Sequence, residues 1–126
     1  MTTEKRKTGD RGEKYAAAFL EKNGYKIIEK NYSARVGEVD IIATNYKFIV
    51  FAEVKTRAGD ALMTPAEAVN VKKQRRIIKT AEVYLATHRC RLQPRFDVIE
   101  IFTDDIGTPL EINHLENAFW AGGFNG

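Results

Sequence analysis

The chain has 126 residues, 44% of them hydrophobic, with 20 lysines and arginines against 17 aspartates and glutamates. That length suits one domain with a modest core, and no apolar run is long enough to cross a bilayer. Met1 to Arg11 lacks the apolar centre of a secretory signal, and Cys90 is the only cysteine, which excludes an internal disulfide and a four-cysteine zinc site and leads us to expect a cytoplasmic protein.

Residues 1–8 read as a flexible leader, and residues 9–126 as a single domain. A first helix is predicted from Asp10 to Asn23, stopped by Gly24, with Ala16, Ala17 and Leu20 on its apolar stripe. Three strands follow, at Lys26 to Tyr32, Glu38 to Thr44 and Phe48 to Lys55. Asn45-Tyr46 is a tight connection, so the last two are expected as antiparallel neighbours. The third is apolar on both faces until its end, as for a central strand covered on both sides.

After a loop over Arg57 to Met63, Thr64-Pro65-Ala66-Glu67 reads as a capping box with proline at the first helical position. The helix it opens is expected to run to Thr87, with Ile77, Ile78, Ala81, Tyr84 and Leu85 on its apolar face. A strand from Arg95 to Phe102, a turn and an edge strand from Leu110 to Leu115 complete the chain, with Asn117 to Trp120 as an apolar tail. Helix, three strands, helix, strand makes a mixed α/β sandwich, with helices packing on a central sheet.

Charge is unevenly spread. Lys72, Lys73, Arg75, Arg76, Lys79, Arg89, Arg91 and Arg95 face a single acid, Glu82, whereas residues 96–126 hold no lysine or arginine. Such a stripe suits a polyanion, and it equally suits a solvated helix face. On helical spacing, Lys72, Arg75, Arg76 and Lys79 point away from the apolar face. They would extend a nucleic-acid track or meet another subunit.

The chemistry is concentrated in Gly37-Glu38-Val39-Asp40 and Phe51-Ala52-Glu53-Val54-Lys55. Charges inside β-branched, apolar runs are costly unless paired or bound to metal. Glu53 and Lys55, two apart on a strand, share one face, and Asp40 lies on the neighbouring strand. Mg²⁺ takes one or two carboxylates plus waters and substrate phosphate, which makes Asp40 and Glu53 the expected ligand pair and the Val54 main-chain carbonyl a third. Lys55 would orient or activate the attacking water. A weak surface ion pair at a strand end is the plainer reading of Glu53 and Lys55.

Two more residues flank this set. Glu13 is either the third-position glutamate of a capping box opened by Asp10 or an inward-facing acid beside Asp40 and Glu53. Gln74 falls on the apolar face of the second helix, with Asn70 one turn earlier. There it satisfies backbone groups, or braces Lys55 or a phosphate. His88 and His114 have no partner at metal-ligand spacing and read as structural or surface residues.

Taken together, Glu13, Gly37 to Asp40, Glu53-Val54-Lys55 and Gln74 resemble the PD-(D/E)xK nuclease superfamily and are similar to the archaeal Holliday junction resolvases. Val39 stands where the superfamily's name has proline. Over nearly the whole length, from Gly12-Glu13 through Asn31-Tyr32, Phe51 to Arg57 and Arg95 to Val98 to Asn117-Ala118-Phe119, the chain is similar to the short bacterial endonuclease-like YraN family. The resemblance implies a restriction-endonuclease-like core in αβββαβ order, with a central mixed sheet flanked by helices. It implies Asp40 and Glu53 as metal ligands, Lys55 as the catalytic lysine, Glu13 as an accessory acid and Gln74 as the helix residue completing the site. A homodimer is implied by analogy alone.

The expected function is therefore Mg²⁺- or Mn²⁺-dependent DNA endonuclease activity, selective for branched or junction DNA, in repair or recombination. The alternatives are a nucleic-acid-binding or assembly module that keeps the fold without turnover, and a protein-interaction module whose basic helix meets an acidic partner.

Overall fold

A computed structural model of the chain describes residues 4–58, 70–120 and 123–124. The elements, in order, are α1 (Glu4–Lys22), β1 (Lys26–Ala34), β2 (Gly37–Thr44), β3 (Phe48–Ala58), α2 (Val71–Thr87), β4 (Gln93–Thr103), β5 (Pro109–Trp120) and the two-residue β6 (Gly123–Phe124). The strands form one sheet in chain order, β1-β2-β3-β4-β5-β6. All neighbours are antiparallel except β3 and β4, which run parallel from Phe48↔Gln93 to Ala58↔Thr103. Parallel neighbours need a crossover, and α2 lies in it.

Alternation along β3 sorts its side chains between two cores. Ile49 and Phe51 pack with Val39, Ile42, Ile77, Ala81, Tyr84, Phe96, Val98 and Phe119 on the α2 side. Val50 and Ala52 pack with Ala16, Ala17, Leu20, Tyr25, Ile41, Ala43, Ile99 and Ile101 on the α1 side. β3 is thus the covered central strand that its sequence predicts. The β2–β3 hairpin is also as expected. Asn45 closes it, its side-chain oxygen accepting the N–H groups of Lys47 and Phe48 at 2.9 and 2.7 Å.

Most strands run one to three residues past their expected ends, β3 to Ala58 where a loop was expected from Arg57, and three boundaries differ by about five residues or more. α1 begins at Glu4, inside the segment read as a leader, so Asp10 lies within the helix and opens no capping box. α2 begins at Val71 rather than Thr64. Asn70, placed by helical spacing one turn before Gln74, is instead the N-cap, extended in backbone and accepting the Lys73 N–H at 2.9 Å. An Asx side chain at that point serves the first turn better than it serves a helix interior. The Thr64 to Glu67 box lies outside the described residues. Finally, β5 runs on to Trp120, so the segment read as a tail is strand, with Phe119 fully buried on Phe96 at 5.4 Å. The bulge that allows this sits at Asn117, whose φ is +52°.

Two polar clusters are built into the sheet. Asp97, fully buried, accepts both Nε and Nη2 of Arg95 (2.9 and 2.8 Å) and the Asn117 N–H (2.9 Å), and meets His114 Nε2 at 2.6 Å. Arg95 also donates to the Tyr25 hydroxyl. Glu100, equally buried, is met by Arg57 and Asn113. His114 is therefore held inside a network, while His88 stacks on Tyr84 at 4.0 Å. Among the described residues, no helix is long and apolar enough to cross a membrane.

Candidate active site

Glycines bring both helices onto the sheet. A Cβ on Gly12 would lie 2.1 Å from Thr56 Oγ1, so α1 touches β3 there without a side chain between them. A Cβ on Gly37 would meet Thr80 Oγ1 at 3.0 Å and Arg76 Cβ at 3.2 Å, so β2 starts hard against α2. These are the glycines of Gly12-Glu13 and Gly37-Glu38-Val39-Asp40. Each sets an acid one or three residues on beside the same strand ends.

The β2–β3 ladder runs from Thr44↔Ile49 to Ile41↔Ala52. The next pair in register is Asp40 and Glu53, and there the pairing changes character. The Asp40 carboxylate itself accepts the Val54 N–H at 2.8 Å. Val54 thus enters the site through its N–H, a role separate from the one expected of its main-chain carbonyl as a third ligand. Glu53 continues the Ile49–Phe51 alternation, so it faces α2 and is only 4% exposed. Lys55 lies on the same face, with Nζ 3.6 Å from Glu53 Oε1.

The nearest partner of Glu53 comes from α2. Lys73 Nζ is 2.5 Å from Glu53 Oε1. In the sequence, Lys73 stands out only as part of a basic stripe. Its signal was there: Lys73 stands one turn before Ile77 on the buried stripe of α2, next to Gln74. Gln74 is buried on that stripe, as expected. Glu13, half-buried on α1, is near enough for its charge to act on Asp40.

A cavity of about 490 Å³ opens over this cluster, lined by Asp40, Glu53, Asn70, Lys72, Lys73 and Arg76 among others. Lys72 and Arg76 therefore do not point away from the acids, as helical spacing suggested. Both line the cavity from the first two turns of α2. Arg75 and Lys79 lie on the exposed face of the helix.

Electrostatics follow from this crowding. Burial, then the Glu53 charge and more weakly Glu13, push the Asp40 carboxyl up to about 8, against the pull of the Val54 N–H and Lys73. Burial and the adjacent Lys73 ammonium lower Lys55, against Glu53 and Asp40. Lys73 is also partly desolvated, yet its bond to Glu53 raises it. Of the two lysines, Lys55 is the one that gives up a proton more easily. Among the described residues, no group of three or more His, Cys, Asp or Glu forms a ready-made metal cage. The donor set is a pair of hard carboxylate oxygens with a third acid nearby, the pattern that suits Mg²⁺ with retained waters.

A model of the uncharacterised protein family UPF0102 matches residues 12–101. A UPF0102 protein of Caldanaerobacter subterraneus subsp. tengcongensis is 47% identical over 117 residues, covering 91% of this chain and 96% of its own length. UPF0102 proteins of Clostridium botulinum strain 657 and Clostridium acetobutylicum are each 43% identical, over 114 and 115 residues. They cover 88% and 90% of this chain and 92% and 94% of their own. The matched span holds Glu13, Asp40, Glu53, Lys55 and Lys73.

Proposed function

The chain belongs to the UPF0102 family, and for it we propose a divalent-metal-dependent phosphodiester hydrolase: an endonuclease acting on DNA, with branched or junction DNA as the preferred form. The observation that carries this reading is the convergence of Asp40 and Glu53 on one cavity whose rim is basic, with Lys55 beside Glu53 on the same strand face. Its αβββαβ opening fits the restriction-endonuclease-like core of the PD-(D/E)xK superfamily. The cytoplasm, Mg²⁺ or Mn²⁺ and a homodimer are the setting, cofactor and assembly we propose with it.

Asp40 and Glu53 would hold the cation, with waters and a phosphate oxygen completing its shell. When bound, it supplies charge stabilisation at the phosphorus and a more acidic water. Asp40, kept protonated by burial and Glu53 when no cation is bound, ionises as positive charge enters. The Val54 N–H fixes the orientation of that carboxylate. Lys55, with its lowered proton affinity, orients the attacking water or takes its proton. Lys72 and Arg76 hold flanking phosphates, and their contacts carry no base information.

One observation favours a second reading, in which the fold binds nucleic acid without turnover. Glu53 is already neutralised by Lys73 and Lys55, so the strand end is stable with no cation. Cleavage of labelled linear, flap and four-way-junction DNA with Mg²⁺ or Mn²⁺ separates the two. We expect cutting that EDTA abolishes and that Asp40→Asn, Glu53→Gln and Lys55→Ala each reduce by at least about 100-fold. Binding to all three DNAs without cutting under either metal would establish the second reading. Undiminished cutting by Asp40→Asn would refute the site.

A further inference from the structure

The proposed cation site already contains a positive charge, and it comes from the protein. Lys73 Nζ sits 2.5 Å from Glu53 Oε1, and its charge also acts on Asp40 across the gap between β2 and β3. One ammonium thus bonds one of the two acids that would hold the metal and lies within electrostatic reach of the other. Its backbone is fixed, because the Lys73 N–H donates to the cap residue Asn70 at 2.9 Å. Its side chain is 41% exposed and reaches the acids across the mouth of a cavity that also holds Lys72 and Arg76. A flexible four-carbon stem on a fixed helix turn can therefore swing between the acids and anything bound in the cavity.

We propose that Lys73 is an internal stand-in for the divalent cation: it holds Glu53 when no metal is bound, is displaced when metal binds, and turns to a phosphate of the bound strand. This inference rests on the metal-dependent reading above. Removing the competitor should strengthen metal binding, since a charge-assisted bond of this kind corresponds to about a tenfold change in affinity. Losing any positive charge in the cavity also helps a divalent cation, by about two- to threefold at roughly 7 Å in a water-like medium screened by salt at about 0.15 M. Lys72→Met supplies that control, because Lys72 shares the cavity.

Mn²⁺ binding is measured by calorimetry on nucleic-acid-free wild type, Lys73→Met, Lys72→Met and Glu53→Gln. The expected result is Lys73→Met about tenfold tighter than wild type, Lys72→Met within about threefold of it, and Glu53→Gln with binding lost. Lys73→Met no tighter than Lys72→Met overturns the stand-in while leaving the metal site in place. Wild type and Lys73→Met binding no better than Glu53→Gln overturns both the stand-in and the metal-dependent reading. A phosphorothioate strand then tests the hand-over to phosphate. It should raise Mn²⁺ affinity by a larger factor in wild type than in Lys73→Met, and an equal factor in both refutes the hand-over.

Discussion

Asp97→Asn should be among the most destabilising isosteric changes in this protein, although it lies outside the proposed site. The carboxylate is fully buried and has four partners: two from Arg95, the Asn117 N–H and His114 Nε2. Asparagine keeps the shape but removes the charge and one acceptor, turning an NH₂ group toward donors. Arg95, itself 7% exposed, would keep the Tyr25 hydroxyl and a long contact to Glu116 at 3.9 Å. Breaking a buried ion pair from one side costs about 3–5 kcal/mol, a large part of the roughly 5–15 kcal/mol that holds a domain folded. For a chain of this size the melting temperature should fall by about 10–20 °C. Urea unfolding followed by circular dichroism gives the free energy directly. Adding Arg95→Met should return part of the loss, because the stranded charge is then gone. A cost below about 1 kcal/mol for Asp97→Asn, or no recovery in the double variant, would refute the reasoning.

The same pair predicts acid behaviour. Burial alone would raise Asp97, but the bonds from His114, Arg95 and the Asn117 N–H hold it below its ordinary value of 3.8. Its stabilisation is therefore present above that value and lost as pH falls through the lowered one, which wild-type and Asp97→Asn denaturation curves from pH 6 to pH 2 will show. Asp40 has the opposite sign. With its carboxyl pushed up to about 8, metal-free protein should lose stability as pH rises from about 4 to about 8, and Asp40→Asn should flatten that decline in EDTA. Gly12→Ala should cost about 1–3 kcal/mol through the clash with Thr56 Oγ1, and Thr56→Ala in the same chain should relieve it. If DNA binds over the cavity, Lys72→Ala and Arg76→Ala should each lower the salt slope of binding by about one, in a fluorescence-anisotropy titration.

Much of this architecture is legible in the sequence because local signals agree. The two-sided apolar run of β3, the Asn45 turn and the Ala16–Leu20 stripe each specify one element, and each forms where expected. Residue spacing also places Glu53 and Lys55 together, since a strand leaves no choice about which face they share. Helix starts were harder to read. Asp10 and Thr64 both have good capping chemistry, but α1 runs upstream of one, and Asn70 caps α2 well after the other. That shift matters at the site, since it puts Lys72, Lys73 and Arg76 in the first two turns of α2, where they line the cavity. Asp97 and His114 were invisible for a different reason. They lie 17 residues apart and are brought together by the pairing of β4 and β5 and a bulge at Asn117, which no local pattern announces.

Because Asp40 accepts the Val54 N–H at 2.8 Å, a main-chain amide well inside the central strand answers to a side chain, as the Phe48 N–H at its start answers to Asn45. The Phe48 amide reports on a turn; the Val54 amide reports on the charge of the cavity. Protonation of Asp40, arrival of a cation or loss of the carboxylate must each alter the polarisation of that one N–H, while its strand neighbours keep their backbone partners. In a ¹⁵N spectrum, Val54 is thus a native, label-free gauge of the site, readable before any substrate is known.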